Sequence, residues 1–438
     1  MEKISRGDVG AAALRKIGWQ LIPFLCLLYF AAFIDRVNVG FAALSMNRDL
    51  GLSPYAYGLG SGIFFAGYCL FEVPSNLILH KVGAHRWIAR IMITWAIVAA
   101  ATAFVKGATS FCILRFLLGV AEAGFFPGVV YYLTYWVPAA RRARLVGMFM
   151  TAIPISTAIG GPLSSVIMKL DGRLGIAGWQ WLFLLETIPS VVLGLMTWRY
   201  LPDKPPDAKW LTVAEKAWLV QTLADEHRAQ PDRTPTVTGA LTDPRVLALC
   251  VCYFGVEIGL YGVIFWVPQI FHDAGFAEAS LGFLVAIPYG IAAIAMAWWC
   301  RHSDRRSERV GHISAAAVVA FLGLASSAYL QRAPILSIVA ITAGAAGTLS
   351  ILPIFWTLPA TVLKGAPAAG AIALVNALGN IGGFVGPYVI GWVRNSTGKF
   401  SLGLLTVAAC VLLTGILVPL VGRRLPAEPR IADRIGAV

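Results

Sequence analysis

Residues 27–44 read LLYFAAFIDRVNVGFAAL, an apolar segment interrupted by Asp35, Arg36 and Asn38. With the residues before it, the segment forms a run over about 18–43. A helix crosses the hydrocarbon core with about 20 mostly apolar residues. Backbone groups in lipid must bond internally, so a run of this length and character is read as a membrane-spanning helix. Two adjacent ionisable side chains inside it are costly unless they face protein or water.

Eleven further runs of the same kind follow, at about 54–80, 86–105, 108–137, 144–169, 179–201, 244–270, 279–300, 311–331, 334–361, 366–393 and 400–421. Of 438 residues, 58% are hydrophobic and 13% charged. Soluble domains carry about a quarter charged residues. Too few polar residues remain to cover soluble domains of this total length, which excludes a soluble enzyme, a disordered chain and a fibrous one. The expected fold class is all-α integral membrane, with twelve transmembrane helices in two six-helix pseudo-repeated bundles. The polar stretch to about Gly18 precedes a long run without a small-residue cleavage site, so the first run is expected to remain as a span rather than leave as a signal.

The net charge is +13. The Lys and Arg residues lie scattered in short hydrophilic gaps rather than on one basic face, which speaks against nucleic acid as a partner. Counted by alternate gaps, 25 fall on the side of the two termini and 7 on the other. The positive-inside rule then places both termini and the central loop in the cytoplasm, as expected for a multi-pass protein of a bacterial inner membrane. The longest polar segment separates six runs from six. The expected organisation is an N-terminal segment (1–17), a six-helix bundle (18–201), a linker (202–243), a second bundle (244–421) and a tail (422–438). Within the linker, Thr212-x-x-Glu215 has the form of a capping box opening a short amphipathic helix, expected along the inner membrane surface. Gly161-Pro162 and Gly386-Pro387 lie 225 positions apart, and HKVGAHR (80–86) and SDRRSER (303–309) repeat at a similar spacing. Two repeated halves are what a rocking carrier needs, with its site at their interface near the midplane.

The seven cysteines lie in or beside apolar runs, odd in number and without disulfide or zinc spacing, and read as small buried residues. No cofactor and no metal is expected. Signatures of metalloproteases, P-loops, serine hydrolases and dinucleotide folds are lacking, so the chain is not expected to be an enzyme or to draw on nucleotide hydrolysis.

The ionisable residues inside the runs are Asp35, Arg36, Glu72, Arg115, Glu122, Glu186 and Glu257. Neighbours on a helix point about 100° apart, so Asp35 and Arg36 are aimed at different partners. They are expected to serve a water-filled cavity, one as anion-binding cation and one as titrating acid, or else to lock spans 1 and 4 by an interhelical ion pair. Arg115 and Glu122, in LRFLLGVAEAGFFPG (114–128), lie seven apart on one face. They are expected to face the same polar space as Asp35 and Arg36, as part of a proton-carrying site or of a fixed ion network. Glu72, Glu186 and Glu257 are read as structural or gating groups. Trp356, Asn376 and Asn380 are candidates for the opposite wall. Glycines four apart, such as Gly382/Gly386, and prolines inside runs, such as Pro127, Pro154 and Pro353, permit close helix approach and bends.

The segments YFAAFIDRVNVGFAAL (29–44), GIFFAGYCLFEVPSNLIL (62–79), LRFLLGVAEAGFFPGVVYYLTYWVP (114–138), GWQWLFLLE (178–186) and HSDRRSER (302–309) together resemble the anion:cation symporter family of the major facilitator superfamily. Within it, the chain looks most like the bacterial tartrate, phthalate and hydroxyphenylacetate permeases. The resemblance implies a monomeric alternating-access carrier that imports a small organic anion with protons. Asp35 and Glu122 would handle protons, Arg36 would bind the substrate carboxylate, and Arg115 would partner Glu122 and Asp35. Tyr68, Trp356 and Asn376 would line the site. His80, Lys81, Arg86, Asp304 and Arg305 would form the gating turns. His80 stands where the superfamily pattern usually has an acid. Pro353 and Phe355 stand where sugar-acid carriers tend to have hydroxyl residues, which favours a less hydroxylated or aromatic acid. Anion exchange, uniport and sugar-acid symport on the same scaffold are the alternatives.

Overall fold

The computed structural model describes residues 6–228, 243–359 and 366–422, which form helices and turns without a strand. Among the described residues, twelve helices are long and apolar enough to cross a membrane. Spans 1 to 6 are Asp8–Leu50, Pro54–Val82, Ala84–Phe104, Ala108–Thr134, Leu145–Met168 and Gly178–Tyr200. Spans 7 to 12 are Pro244–Ile264, Glu278–Arg306, Val310–Tyr329, Pro334–Phe355, Leu374–Thr397 and Ser401–Val421. The expected twelve are thus present.

Spans 1–6 pack mainly on one another, as do spans 7–12. The two groups meet where span 2 lies on span 11 and span 5 lies on span 8. These contacts are related by the internal repeat. A Cβ on Gly58 would fall 2.6 Å from the Pro387 carbonyl oxygen, and one on Gly282 would fall 2.0 Å from that of Gly161. Gly58 and Gly282 lie 224 positions apart, close to the spacing of the two Gly-Pro pairs. Both crossings therefore require bare backbone on one helix, and both lie toward the face opposite the linker.

Several runs depart from single straight helices, and proline sets where. A proline lacks the N–H that would bond the carbonyl four residues before it. Pro127 frees Ala123, and span 4 breaks there into Ala108–Glu122 and Phe125–Thr134, with Gly124 at φ +85°. Pro154 frees Met150, where Ala139–Met150 gives way to Ala152–Met168. Pro268 frees Ile264, the last residue of span 7, and Val267–Asp273 continues as a separate helix. Pro359 frees Phe355, where span 10 ends. Phe125, Phe126, Met150 and Trp356 lie at or beside these breaks.

The described part of the N-terminal segment is continuous with the first span. Arg6–Gln20 is helical and runs through Leu21 into Ile22–Leu50. The linker forms Val213–Arg228 behind the expected capping box, in which Thr212 N–H donates to Glu215 Oε2 at 2.8 Å and Glu215 N–H to Thr212 Oγ1 at 3.3 Å. Its apolar side packs on protein. The Trp218 ring lies against Gly10, Lys16 Nζ bonds Glu215 at 2.9 Å, and Trp210 stacks on Trp136 at 5.6 Å. Asp203 binds the backbone N–H and the ring of His85 at 3.0 and 2.7 Å. Residues 202–228 are thereby docked on the first six spans. The tail from residue 423 and linker residues 229–242 lie outside the described residues.

Candidate functional site

Between the two groups of spans lies a narrow cavity lined by side chains of both. Spans 1, 2, 4 and 5 contribute one wall and spans 7, 10 and 11 the other. Arg36 lines it, 6% exposed, and its guanidinium is held on several sides. Nη2 pairs with Glu122 of span 4, and Nη1 donates to the Tyr261 hydroxyl of span 7 at 2.6 Å. The rings of Phe33 and Phe64 each lie 5.1 Å from its central carbon, and those of Tyr68 and Tyr261 lie 5.8 Å away. Such faces attract a cation, so the charge is fixed in place before any ligand arrives. Arg36 Nε has no hydrogen-bond partner among the described residues.

Asp35 does not share this chamber. Its Oδ2 accepts from Trp95 Nε1 of span 3 at 2.9 Å and from Ser190 Oγ of span 6 at 2.6 Å, inside the first six spans. The expectation of one hydrated space for Asp35, Arg36 and Glu122 is corrected here. The helical offset between neighbours turns Asp35 away from the cavity that Arg36 enters. Glu186 of span 6, bonded by Ser164 at 2.8 Å, also belongs to the interior of the first half.

Arg115 forms no ion pair with Glu122 or Asp35 among the described residues. It is 1% exposed, and its Nε and Nη2 have no partners there. Its guanidinium lies 5.2 Å from the Phe64 ring, on which Arg36 also rests, and 5.9 Å from Phe265. One phenyl ring thus carries two cations. The two-turn rise from Arg115 to Glu122 along the helix is the reason the expected pairing does not form.

Tyr68 and Asn376 line the cavity. Asn376 Nδ2 donates to Glu72 Oε1 at 2.5 Å, joining span 11 to span 2 across the halves. Trp356 is displaced from the wall. It packs edge-on against Tyr253 at 4.9 Å and beside Phe126 at 6.4 Å, and these two rings face the cavity in its stead. The expected gating turns do not pair with one another among the described residues. His80, Lys81, Arg86 and Arg305 are exposed, and Asp304 pairs with Arg309 of its own turn at 2.5 Å.

Sequence reasoning set Glu257 apart from the cavity, yet it lines the wall opposite the first half, with Tyr253 and Tyr261 one turn to either side. The signal was the spacing Tyr253-x-x-x-Glu257-x-x-x-Tyr261, which places all three on one helix face.

Twelve membrane helices around a central cavity walled by both halves define a membrane transporter. Residues 25–387 match the profile of the Major Facilitator Superfamily. The chain belongs to that superfamily, in agreement with the resemblance to its anion:cation symporters, and is a transporter rather than an enzyme. It is 48% identical over 429 residues to a protein of Agrobacterium vitis named "Putative tartrate transporter", covering 98% of this chain and 95% of that one. It is 45% identical over 414 residues to a Pseudomonas putida protein named "Putative metabolite transport protein NicT", covering 94% and 95%. Among solved structures, an inward-facing, occupied bacterial homolog of the human lysosomal transporter Spinster superposes with a TM-score of 0.73 at 15% identity, over 93% of this chain and 97% of that one. That likeness concerns the fold alone.

Proposed function

We propose that the protein imports a small organic anion across the bacterial inner membrane together with protons, its two six-helix bundles (18–201 and 244–421) exposing the cavity to each side in turn. The observation that carries this reading is Arg36, a fixed guanidinium at the boundary of the two halves whose charge is held by Glu122. A carboxylate entering the cavity competes with Glu122 for Arg36. Protonation of Glu122 frees the guanidinium for the ligand, and departure of the ligand returns it. Proton and anion are then bound together and released together. Arg115, behind Phe64, biases Glu122 by its field rather than by a bond. Asp35 is a second proton site that never touches the ligand. The turns with His80, Lys81 and Arg86 and with Asp304 and Arg305 meet only when the linker face closes. The similarity to a protein named for tartrate supports a carboxylate as the cargo, and the aromatic walls admit an aromatic acid equally. Both termini and the linker lie on the cytoplasmic side, and one chain suffices for the cycle.

Proteoliposomes containing a pH-sensitive dye test this. Addition of a transported carboxylate acidifies the lumen, and Arg36→Ala and Glu122→Gln abolish the signal. Absence of proton movement across a panel of dicarboxylates, aldonates and aromatic acids, or coupled uptake unchanged in both Asp35→Asn and Glu122→Gln, refutes it.

A further inference from the structure

Two buried polar side-chain atoms of the cavity wall lack partners among the described residues: Nε of Arg36, a donor, and Oε2 of Glu257, an acceptor. They stand on opposite halves, on spans 1 and 7. Glu257 is 3% exposed, and no Lys, Arg or His other than Arg36 lines the cavity among the described residues. Behind this wall, Trp356 Nε1 and Glu72 Oε2 also lack partners among the described residues, but neither residue lines the cavity. Asn376 is engaged with Glu72, and the Tyr253 hydroxyl faces Glu257 without filling Oε2.

A buried carboxylate oxygen without a partner is costly, and carries that cost in the empty cavity. A ligand consisting only of carboxylate would satisfy Arg36 and set a second negative group against Glu257. A ligand that offers a carboxylate at one end and a hydroxyl or ammonium at the other satisfies both orphaned atoms. We infer that Glu257 selects hydroxy- or amino-substituted carboxylic acids over unsubstituted ones, by accepting a hydrogen bond from the ligand end that Arg36 does not hold. The inference rests on the organic-anion reading above and narrows it to acids with at least one donor. One acceptor point in an otherwise aromatic-rich wall suits a hydroxylated aromatic acid as well as a short hydroxy acid.

The test uses four-carbon diacids of one skeleton, succinate, malate, tartrate and aspartate, titrated calorimetrically into the purified full chain. Malate, tartrate or aspartate is expected to bind about tenfold or more tightly than succinate, the range for a hydrogen bond to a charged group. In Glu257→Met the advantage disappears, while succinate binds at least as tightly as to the wild type because the opposing charge is gone. In Glu257→Gln, which keeps a neutral acceptor, a hydroxyl preference survives and an ammonium preference is lost. If Glu257→Met does not elute as a folded protein, the Gln variant decides alone, by a preference for aspartate that is lost while that for malate is kept. Equal affinity for succinate and the substituted acids in the wild type overturns the inference while leaving the anion cavity intact. So does a Glu257→Met that weakens every acid alike, the mark of a merely structural role. No heat from any acid overturns the anion reading itself, and the inference with it.

Discussion

Arg36 and Asp35 are neighbours in sequence and strangers in space, and the reason is the angle between consecutive helical positions. That angle was available from the sequence and already spoke against one chamber for both. What the sequence did not carry was the identity of Asp35's partners, Trp95 and Ser190, which come from two other spans and mark themselves by no motif. Glu257 was legible as an intramembrane acid, but its face became clear only with Tyr253 and Tyr261 beside it. At Arg36 one nitrogen serves Glu122, one Tyr261, and Nε has no partner among the described residues. Lysine offers a single point of charge, so Arg36→Lys is expected to lower carboxylate affinity by about tenfold or more without loss of fold, measured by calorimetry and size-exclusion elution. Preserved affinity would remove Arg36 from the ligand contacts. Ser190→Ala withdraws one of the two donors from a buried carboxylate oxygen. It is expected to destabilise by about 1–3 kcal/mol, seen as a lower thermal midpoint. Arg115→Met moves the other way or not at all, because a buried guanidinium with unpartnered nitrogens gives up no ion pair when an apolar chain of similar length replaces it. A sharply lower midpoint in this variant would mean that Arg115 has a partner.

Hydropathy made all twelve spans legible because lipid permits so few alternatives to a helix. It gave no sign of the breaks, since a broken helix is as apolar as a straight one. The signal for those was the carbonyl four residues before a proline, and it picks out Ala123, Met150, Ile264 and Phe355 while Pro162, Pro288 and Pro387 lie in helices that continue. Packing of neighbouring helices decides which freed carbonyl becomes a break, and that information is not local. The capping box at Thr212–Glu215 was legible in full because its bonds span three residues. Its docking onto Arg6–Gln20 through Lys16 was not, at a separation of 199 residues. Glu215 supplies a pH test for this element. Burial opposes its ionisation, but hydrogen bonds from Lys16 and Thr212 prevail and hold its carboxyl below the usual value. A group lowered on folding stabilises above its unfolded value, and that contribution is lost as pH falls through the folded one. Amides of Val213–Arg228 are therefore expected to keep their protection from hydrogen exchange near neutrality and lose it below about pH 4, the ordinary carboxylate range. In Glu215→Gln the protection is weaker at neutral pH and nearly independent of acid. Identical pH profiles for the two proteins would show that Glu215 does not hold the helix.

For the molecule as a whole, the decisive feature is the pair of crossings opposite the linker, where backbone of one half lies against backbone of the other. The crossings at Gly58 with Pro387 and at Gly161 with Gly282 leave no space for a Cβ, and beyond them Arg48 of the first half pairs with Glu278 of the second at 2.9 Å. On the linker face the corresponding turns are unpaired with each other among the described residues. A carrier that rocks must part the glycine crossings and break the Arg48–Glu278 pair to admit ligand from that side. The pair itself contributes little, because both side chains are exposed and screened. Arg48→Cys together with Glu278→Cys, joined by a cleavable bifunctional thiol reagent on a background lacking the seven native cysteines, holds the halves together at that edge without adding atoms at the glycines. Ligand binding from the linker face is expected to persist in the joined protein, while counterflow in proteoliposomes stops and returns on cleavage with reductant. Either single cysteine, treated with the same reagent, transports like its untreated form. Full counterflow in the joined protein would mean that this face need not open, and a rocking motion about the central cavity would no longer describe how cargo crosses.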